Sequence, residues 1–196
     1  MNITKIISKT FDSRLKQIDL YASQASEIQH RVLSRLVNQA AQTEWGKKYD
    51  YASIRSYEDF RNRLPIQTYE EIKPYVERLR AGEQNLLWPS EIRWFAKSSG
   101  TTNDKSKFLP VSKEALEDIH YRGGKDAAAL YLPLKSGSHF FSGKRLLLGG
   151  RHSSKPNPKH SFEGRFSAAL SQNAHSLMKF FLVPGKKNAL LRAWET

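Results

Sequence analysis

The first 42 residues place apolar side chains at steps of three and four, the spacing of one face of an α-helix. The stripe lacks the sustained charged flanks of a coiled coil. It therefore predicts a helix over residues 3 to about 42, in two pieces, that packs against a globular body. Gly46 predicts a left-handed stop soon afterwards. The apolar positions are Ile7, Phe11, Leu15, Ile18, Ala22, Ala25, Ile28, Val32, Leu36 and Ala40.

Two short helices are predicted next by their start signals. Ser56-Tyr-Glu-Asp59 and Thr68-Tyr-Glu-Glu71 both have the form of a capping box, a hydroxyl residue with an acid three positions later. Pro74 fits poorly inside a helix but suits the first turn of a new one. We therefore expect a renewed helix over Tyr75 to Arg80, ended by Gly82.

After Trp88 the pattern changes to alternating strands and helices. Ile92 to Ala96 and Phe108 to Val111 read as two strands joined by a polar loop. This alternation predicts an α/β fold. The remaining predicted elements are a helix from Lys113 to about Leu130, a strand from Lys144 to Gly150, a helix from Phe166 to Phe180, a strand from Phe181 to Val183 and a helix from Asn188 to Trp194.

Composition limits the class of protein. The 196 residues are 39% hydrophobic and 11% aromatic, which is typical of a globular chain. There is no cysteine, so disulfides, thiolate metal sites and cysteine nucleophiles are excluded. No apolar run reaches the length needed to cross a bilayer, so we expect no membrane association and a cytoplasmic location. The six histidines have no acids at ligand spacing, and we predict no metal site.

Charge leaves a second function open. The net charge is +13, and beyond Asp126 the only acids are Glu163 and Glu195, against eleven lysines and arginines. A basic nucleic-acid-binding module in the C-terminal third is therefore an alternative. The basic residues there are spread through predicted loops and form no RNA- or DNA-binding motif. We accordingly expect no nucleic-acid partner.

The loop SSGTTNDKSK, residues 98–107, has the composition of an anion site. A glycine among small hydroxyl residues can turn several backbone N–H groups toward one point, and a lysine can balance phosphate charge. The common nucleotide loop is absent, because Lys105 stands where its second glycine would be. From the residues alone, an exposed polar hairpin remains the alternative.

Ser98-Ser-Gly-Thr-Thr102, followed by Lys107 and Pro110, resembles the first ATP-binding motif of adenylate-forming enzymes. The spacing to Lys107 resembles one branch, the Gretchen Hagen (auxin-responsive promoter) family of acyl-acid amido synthetases. Four further segments resemble that family's N-terminal region in order and spacing: Thr43-Glu-Trp-Gly-Lys47, Tyr57-Glu-Asp-Phe60, Leu64-Pro65 and Tyr69-Glu-Glu-Ile-Lys-Pro74.

The resemblance implies ATP and Mg²⁺ as cofactors and a small carboxylic acid and an amine or amino acid as substrates. The carboxylate would form an acyl adenylate, from which the amine would displace AMP. In the loop, Gly100 would allow close approach of the backbone to phosphate, and Lys107 would add positive charge. The hydroxyl groups expected to donate hydrogen bonds are those of Ser98, Ser99, Thr101 and Thr102.

The sequence departs from the family in two respects. Asn103 stands where many relatives have glycine, and asparagine is the least costly substitute if that position needs a positive φ. The chain also lacks the family's later nucleotide motifs and ends within an amphipathic pattern. We therefore expect the truncated start of an adenylate-forming large domain with a mixed sheet, unable alone to complete the reaction. Residues 1–90 would form its N-terminal helical region and residues 91–196 its α/β portion.

Overall fold

Six α-helices precede the first strand in the computed structural model of the chain, which describes residues 3–98, 107–135, 137–146, 161–173 and 182–183. They are α1 (Ile3–Lys9), α2 (Asp12–Ser23), α3 (Ala25–Ala40), α4 (Glu44–Lys48), α5 (Tyr57–Arg63) and α6 (Tyr69–Arg80). The later elements are β1 (Trp94–Lys97), β2 (Phe108–Val111), a π-helical segment (Ala115–Tyr121) that runs into α7 (Arg122–Leu134), β3 (Arg145–Leu146), β4 (Phe162–Gly164), α8 (Phe166–Asn173) and β5 (Leu182–Val183).

The chain forms two compact units, each built from separate stretches of sequence. The first unit comprises Met1–Ala25, Glu114–Gly149 and Leu170–Thr196, and the second comprises Ser26–Lys113 and Gly150–Ala169. The predicted division at residue 90 follows the order of the chain and stays a prediction.

The second unit contains a mixed three-stranded sheet with the order β2-β1-β4. Strand β1 pairs antiparallel with β2 and parallel with β4. The rings of Trp94 in β1 and Phe162 in β4 stack with their centroids 4.7 Å apart. The predicted α/β fold with a mixed sheet is confirmed.

Two hydrophobic clusters hold the second unit together. The first contains Val37, Ala40, Trp45, Tyr51 and Ile54, and joins α3 and α4 to the turn that follows. The second contains Val76, Leu79, Leu86, Ile92 and Phe95, and packs α6 against the start of the sheet. Because the second cluster lies directly beside β1, it fixes the strand that leads into the polar loop.

The first unit packs the N-terminal helices α1 and α2 on α7. The Arg14 guanidinium donates to both carboxylate oxygens of Asp126 at 2.7 Å, and these bonds hold the pKa of Asp126 below its usual range. In the same unit, β3 and β5 pair in parallel, with Leu146 opposite Val183. The predicted strands in these two regions are therefore confirmed at their described residues.

The stretch from residue 3 to about 42 forms three helices, α1, α2 and α3, and the prediction of two pieces was wrong. The break after α1 lies at Thr10, whose backbone N–H and hydroxyl both donate to the Ile7 carbonyl oxygen at 2.9 and 2.6 Å. A hydroxyl that donates to a backbone carbonyl oxygen in this way competes with the backbone hydrogen bonds of the helix. The second break is at Gln24, which ends α2 outside the helical conformation. Apolar spacing does not report either break, because it continues through both.

Gly46 does not end a helix but lies inside α4, so its predicted role was wrong. A Cβ atom there would lie 2.0 Å from the Ala40 carbonyl oxygen, so glycine is needed for close approach of the backbone. Thr43 makes this approach possible by capping α4. Its hydroxyl donates to Ala40 O at 2.7 Å and accepts from Gly46 N–H at 2.9 Å.

Both predicted capping boxes are confirmed, at the starts of α5 and α6. Pro74, however, lies within α6 rather than at the start of a new helix. Because proline has no backbone N–H, α6 lacks one helical hydrogen bond in its second turn. The burial of Val76 and Leu79 on the same helix offsets this loss of stability. Gly82, with φ of 97°, follows the end of α6 as predicted.

Two further findings revise the predicted elements. The helix after β2 continues to Leu134 rather than stopping near Leu130, because Ala129 and Leu132 are buried and Pro133 removes a hydrogen bond only in the last turn. Strand β4 was not predicted, since its three residues are too few to show a pattern. The predicted helix from Phe166 to Phe180 is found over its described part, Phe166–Asn173. Its residues 174–180 and the whole predicted helix over 188–194 lie outside the described residues. No helix of the described chain is long and apolar enough to span a membrane.

Candidate functional site

The polar loop leaves the sheet through a narrow base formed by its two end residues. Strands β1 and β2 pair in register from Trp94 opposite Val111 to Lys97 opposite Phe108. The next pair closes the ladder, because Ser98 N–H donates to Lys107 O at 2.9 Å and Lys107 N–H donates to Ser98 Oγ at 3.0 Å. Of the six predicted site residues, the structure thus brings Ser98 and Lys107 together. The other four, Ser99, Gly100, Thr101 and Thr102, lie outside the described residues, as does Asn103.

The Ser98 hydroxyl has a structural role at this base. It accepts the backbone N–H that a strand carbonyl would otherwise accept. Only an acceptor lone pair is used, so the same hydroxyl can still donate its proton to a phosphate oxygen. Ser98 can therefore close the loop and face a ligand at once.

Tyr69, the first residue of α6, holds the other end of the loop and was missed by sequence reasoning as a site residue. Its hydroxyl accepts from Phe108 N–H at 2.9 Å and lies 3.2 Å from Phe108 O, to which it can donate. The Lys107 ammonium nitrogen lies 5.3 Å from the centroid of its ring. This distance is within the range of a cation–π contact. The capping box at Thr68 predicted the start of a helix, but no pattern in the sequence indicated that Tyr69 contacts Phe108, 39 residues away.

Arg80, the last residue of α6, also contacts Phe108. Its guanidinium carbon lies 3.8 Å from the centroid of the Phe108 ring, and it pairs with Glu163 of β4 at 2.6 Å and with Glu77 at 2.8 Å. Burial acts to lower the pKa of Arg80, but the hydrogen bonds to Glu163 and Glu77 outweigh it and the pKa is raised. Two carboxylates therefore compensate the charge of Arg80.

Lys107 differs from Arg80 in its electrostatics. It is exposed, and no carboxylate of the described residues lies within ion-pair distance of its ammonium group. An uncompensated lysine at the base of a loop of hydroxyl residues suits an anionic ligand. Among the described residues, no three histidines, aspartates or glutamates come together to hold a metal ion.

Comparison with known proteins identifies the family. Residues 14–181 match the model described as the GH3 family N-terminal domain. The chain is 30% identical to indole-3-acetic acid-amido synthetase GH3.5 of Arabidopsis thaliana over 118 residues, 58% of this chain and 19% of that protein. It is 29% identical to jasmonoyl-L-amino acid synthetase JAR6 of Nicotiana attenuata over 114 residues, 57% of this chain and 20% of that protein. The chain thus spans about a fifth of the length of these relatives.

A solved structure shows the same fold. The GH3.15 acyl acid amido synthetase superposes with a TM-score of 0.67 at 23% sequence identity, over 82% of this chain and 28% of that one. The matches give no support to the nucleic-acid-binding alternative. The family that the loop and the segments before it resemble is confirmed by the match over residues 14–181: the chain belongs to the GH3 family, within its N-terminal domain.

Proposed function

We propose that this chain forms the phosphate-binding part of an ATP-dependent acyl-acid amido synthetase. The observation that carries the proposal is the base of the loop, where Ser98 and Lys107 are hydrogen-bonded to each other and the Lys107 ammonium is uncompensated among the described residues. Family membership supports it, since the relatives named above are amido synthetases.

The reaction would proceed in two steps. A carboxylate oxygen attacks the α-phosphorus of ATP, the bond to the bridging oxygen of the β-phosphate breaks, and pyrophosphate leaves with that electron pair. An amine nitrogen then attacks the acyl carbon, the bond to the AMP oxygen breaks, and the nitrogen loses a proton. The substrates would be a small carboxylic acid and an amine or amino acid, as the names of the relatives indicate for those proteins.

In the first step, the loop would hold the β- and γ-phosphates. Negative charge grows on the departing pyrophosphate, and the Lys107 ammonium would stabilise that charge. The Ser98 hydroxyl would donate a hydrogen bond to a phosphate oxygen. Holding the leaving group in this way also aligns the α-phosphate with the carboxylate that attacks it.

Magnesium would enter together with ATP and help to neutralise the phosphates. The positive charge of the Lys107 ammonium at the base of the loop favours phosphate oxygens over a cation. With no cluster of acidic or histidine side chains among the described residues, we assign the ion no protein ligand.

A cytoplasmic location remains a prediction.

The test is the affinity of the 196-residue chain for ATP, measured by calorimetric titration at low salt. We expect Lys107→Ala to weaken binding about tenfold, because it removes a charge-assisted contact of about 1.5 kcal/mol. Lys113→Ala is the matched control, since Lys113 is also exposed but lies beyond β2. Equal losses in the two variants, or unchanged binding in Lys107→Ala, would contradict the proposal.

A further inference from the structure

The contact between Tyr69 and the start of β2 occurs at an open edge of the sheet. Ser98 and Lys107 form a hydrogen-bonded pair, so the next pair, Lys97 and Phe108, is of the non-hydrogen-bonded kind. The backbone N–H and C=O of Phe108 therefore face away from β1. In the described sheet, β2 has no strand on that side. The Tyr69 hydroxyl meets both backbone groups in place of a strand.

Two residues after Phe108, the same edge of β2 also cannot pair fully with another strand. Pro110, opposite Phe95, is the next residue of β2 whose backbone faces outward, and it has no N–H to offer. The outward backbone donor at the start of β2 is therefore that of Phe108, and the tyrosine occupies it. This fixes the first residue of β2, and with it the exit of the loop, relative to α6.

The ring of Tyr69 acts on the residue before Phe108. It lies 5.3 Å from the Lys107 ammonium, which is exposed and has no carboxylate partner among the described residues. A long, flexible lysine side chain without a partner samples many rotamers, and each one lost on binding a ligand lowers affinity. A ring that holds the ammonium near the loop base reduces that loss.

We infer that Tyr69 is a positioning residue for the phosphate loop: its hydroxyl fixes the backbone where the loop rejoins the sheet, and its ring holds the Lys107 ammonium ready for a phosphate. This rests on the proposed function, because the ligand is the triphosphate of ATP. This role requires no contact between Tyr69 and a phosphate. It acts through Phe108 and Lys107, and so its two contacts can be removed separately.

The experiment combines variants at both positions in the 196-residue chain. Tyr69→Phe removes the hydroxyl and keeps the ring, and we expect about threefold weaker ATP binding. Tyr69→Leu removes both contacts, and we expect about tenfold weaker binding. In a Lys107→Gln background, the effect of Tyr69→Leu falls to about threefold, because the ring then has no ammonium to hold. Tyr57→Leu is the matched control, since Tyr57 is also the first residue of a helix and is exposed.

A spectroscopic measurement without ATP separates this inference from the proposed function. The ε-methylene protons of Lys107 should show an upfield ring-current shift in the wild-type chain and in Tyr69→Phe, and lose it in Tyr69→Leu. Circular dichroism checks that each variant is folded. If Tyr69→Leu does not fold, Tyr69→Phe still tests the role of the hydroxyl.

Three outcomes would overturn the inference. An equal effect of Tyr69→Leu with and without Lys107 would show a structural role alone. A missing upfield shift in the wild-type chain would show that the ring does not hold the lysine. A present shift together with no ATP binding by the wild-type chain would reject the proposed function itself, and the positioning role with it.

Discussion

Helices α5 and α6 begin with nearly the same four residues and use them differently. Ser56-Tyr-Glu-Asp59 starts α5 and Thr68-Tyr-Glu-Glu71 starts α6, and both form capping boxes. Tyr57, the first residue of α5, is 65% exposed. Tyr69, the first residue of α6, is half-buried and bonds the backbone of Phe108.

The local sequence controls the cap of each helix but not the function of its tyrosine. A capping box satisfies backbone groups within its own four residues, so it forms wherever the sequence provides it. The function of the tyrosine depends on what lies beside the helix. Next to α6 is the edge of β2, with a donor and an acceptor facing outward, and that edge makes Tyr69 part of the loop base.

The largest expected effect separates the two tyrosines by their contribution to the free energy of unfolding. Tyr69→Ala removes a half-buried ring and the partner of two backbone groups, and we expect a loss of about 2–3 kcal/mol. Tyr57→Ala changes an exposed side chain, and we expect a loss of about 0.5 kcal/mol. Urea denaturation followed by circular dichroism measures both. Equal losses would mean that the contact with β2 does not stabilise the fold.

The next prediction concerns what the two helices share. Ser56→Ala and Thr68→Ala should each lower the free energy of unfolding by about 1 kcal/mol, because each removes a cap hydroxyl from a helix start. The same urea series measures them. A much larger loss for Thr68→Ala than for Ser56→Ala would show that the cap of α6 depends on β2, as Tyr69 does, and that the two caps are not equivalent.

This contrast also explains how far the sequence could predict the fold. Capping boxes, the strand Phe108–Val111 and the glycine stop at Gly82 depend on neighbouring residues, and they were predicted correctly. The role of Gly46 was predicted wrongly because it depends on the carbonyl oxygen of Ala40, six residues earlier and across a turn, which leaves no room for a Cβ atom. The apolar stripe of the N-terminal helices could not show breaks set by hydrogen bonds at Thr10 and by the backbone at Gln24.

The candidate site shows the same division. Ser98 and Lys107 were found through a motif, which is a property of consecutive residues. Tyr69 and Arg80 come from a helix that ends before the sheet begins, and they reach the loop base only through packing. Tyr69 could not be assigned before the register of β1 and β2 was known, since that register decides which backbone groups of Phe108 face outward. The contact of Arg80 is with the ring of the same residue.

The smallest expected effect concerns the acids of the two capping boxes. Hydrogen bonds from Arg55 N–H and from Ser56 hold the pKa of Asp59 below its usual range, and those from Thr68 N–H and its hydroxyl do the same for the pKa of Glu71. A carboxylate with a lowered folded-state pKa stabilises the fold above its unfolded-state pKa, about 3.9 for aspartate and about 4.3 for glutamate. That stabilisation disappears as the pH falls through the lower, folded-state pKa.

Asp59→Asn and Glu71→Gln should therefore lower the urea midpoint at pH 7, and by small amounts, because Asp59 is only half-buried and Glu71 is exposed. As the pH falls below the unfolded-state pKa and then through the lower folded-state pKa, each variant should converge on the wild-type chain, because the wild-type carboxyl becomes protonated and as neutral as the amide. Glu58→Gln, which changes the neighbouring first-turn acid of α5, is the control for a general charge effect at the helix start. A midpoint difference that stays constant from pH 7 to pH 3 would show that the charge of these two acids does not stabilise the caps. Convergence for Asp59 alone would mean that the two helix starts differ in their local chemistry as well as in their tyrosines.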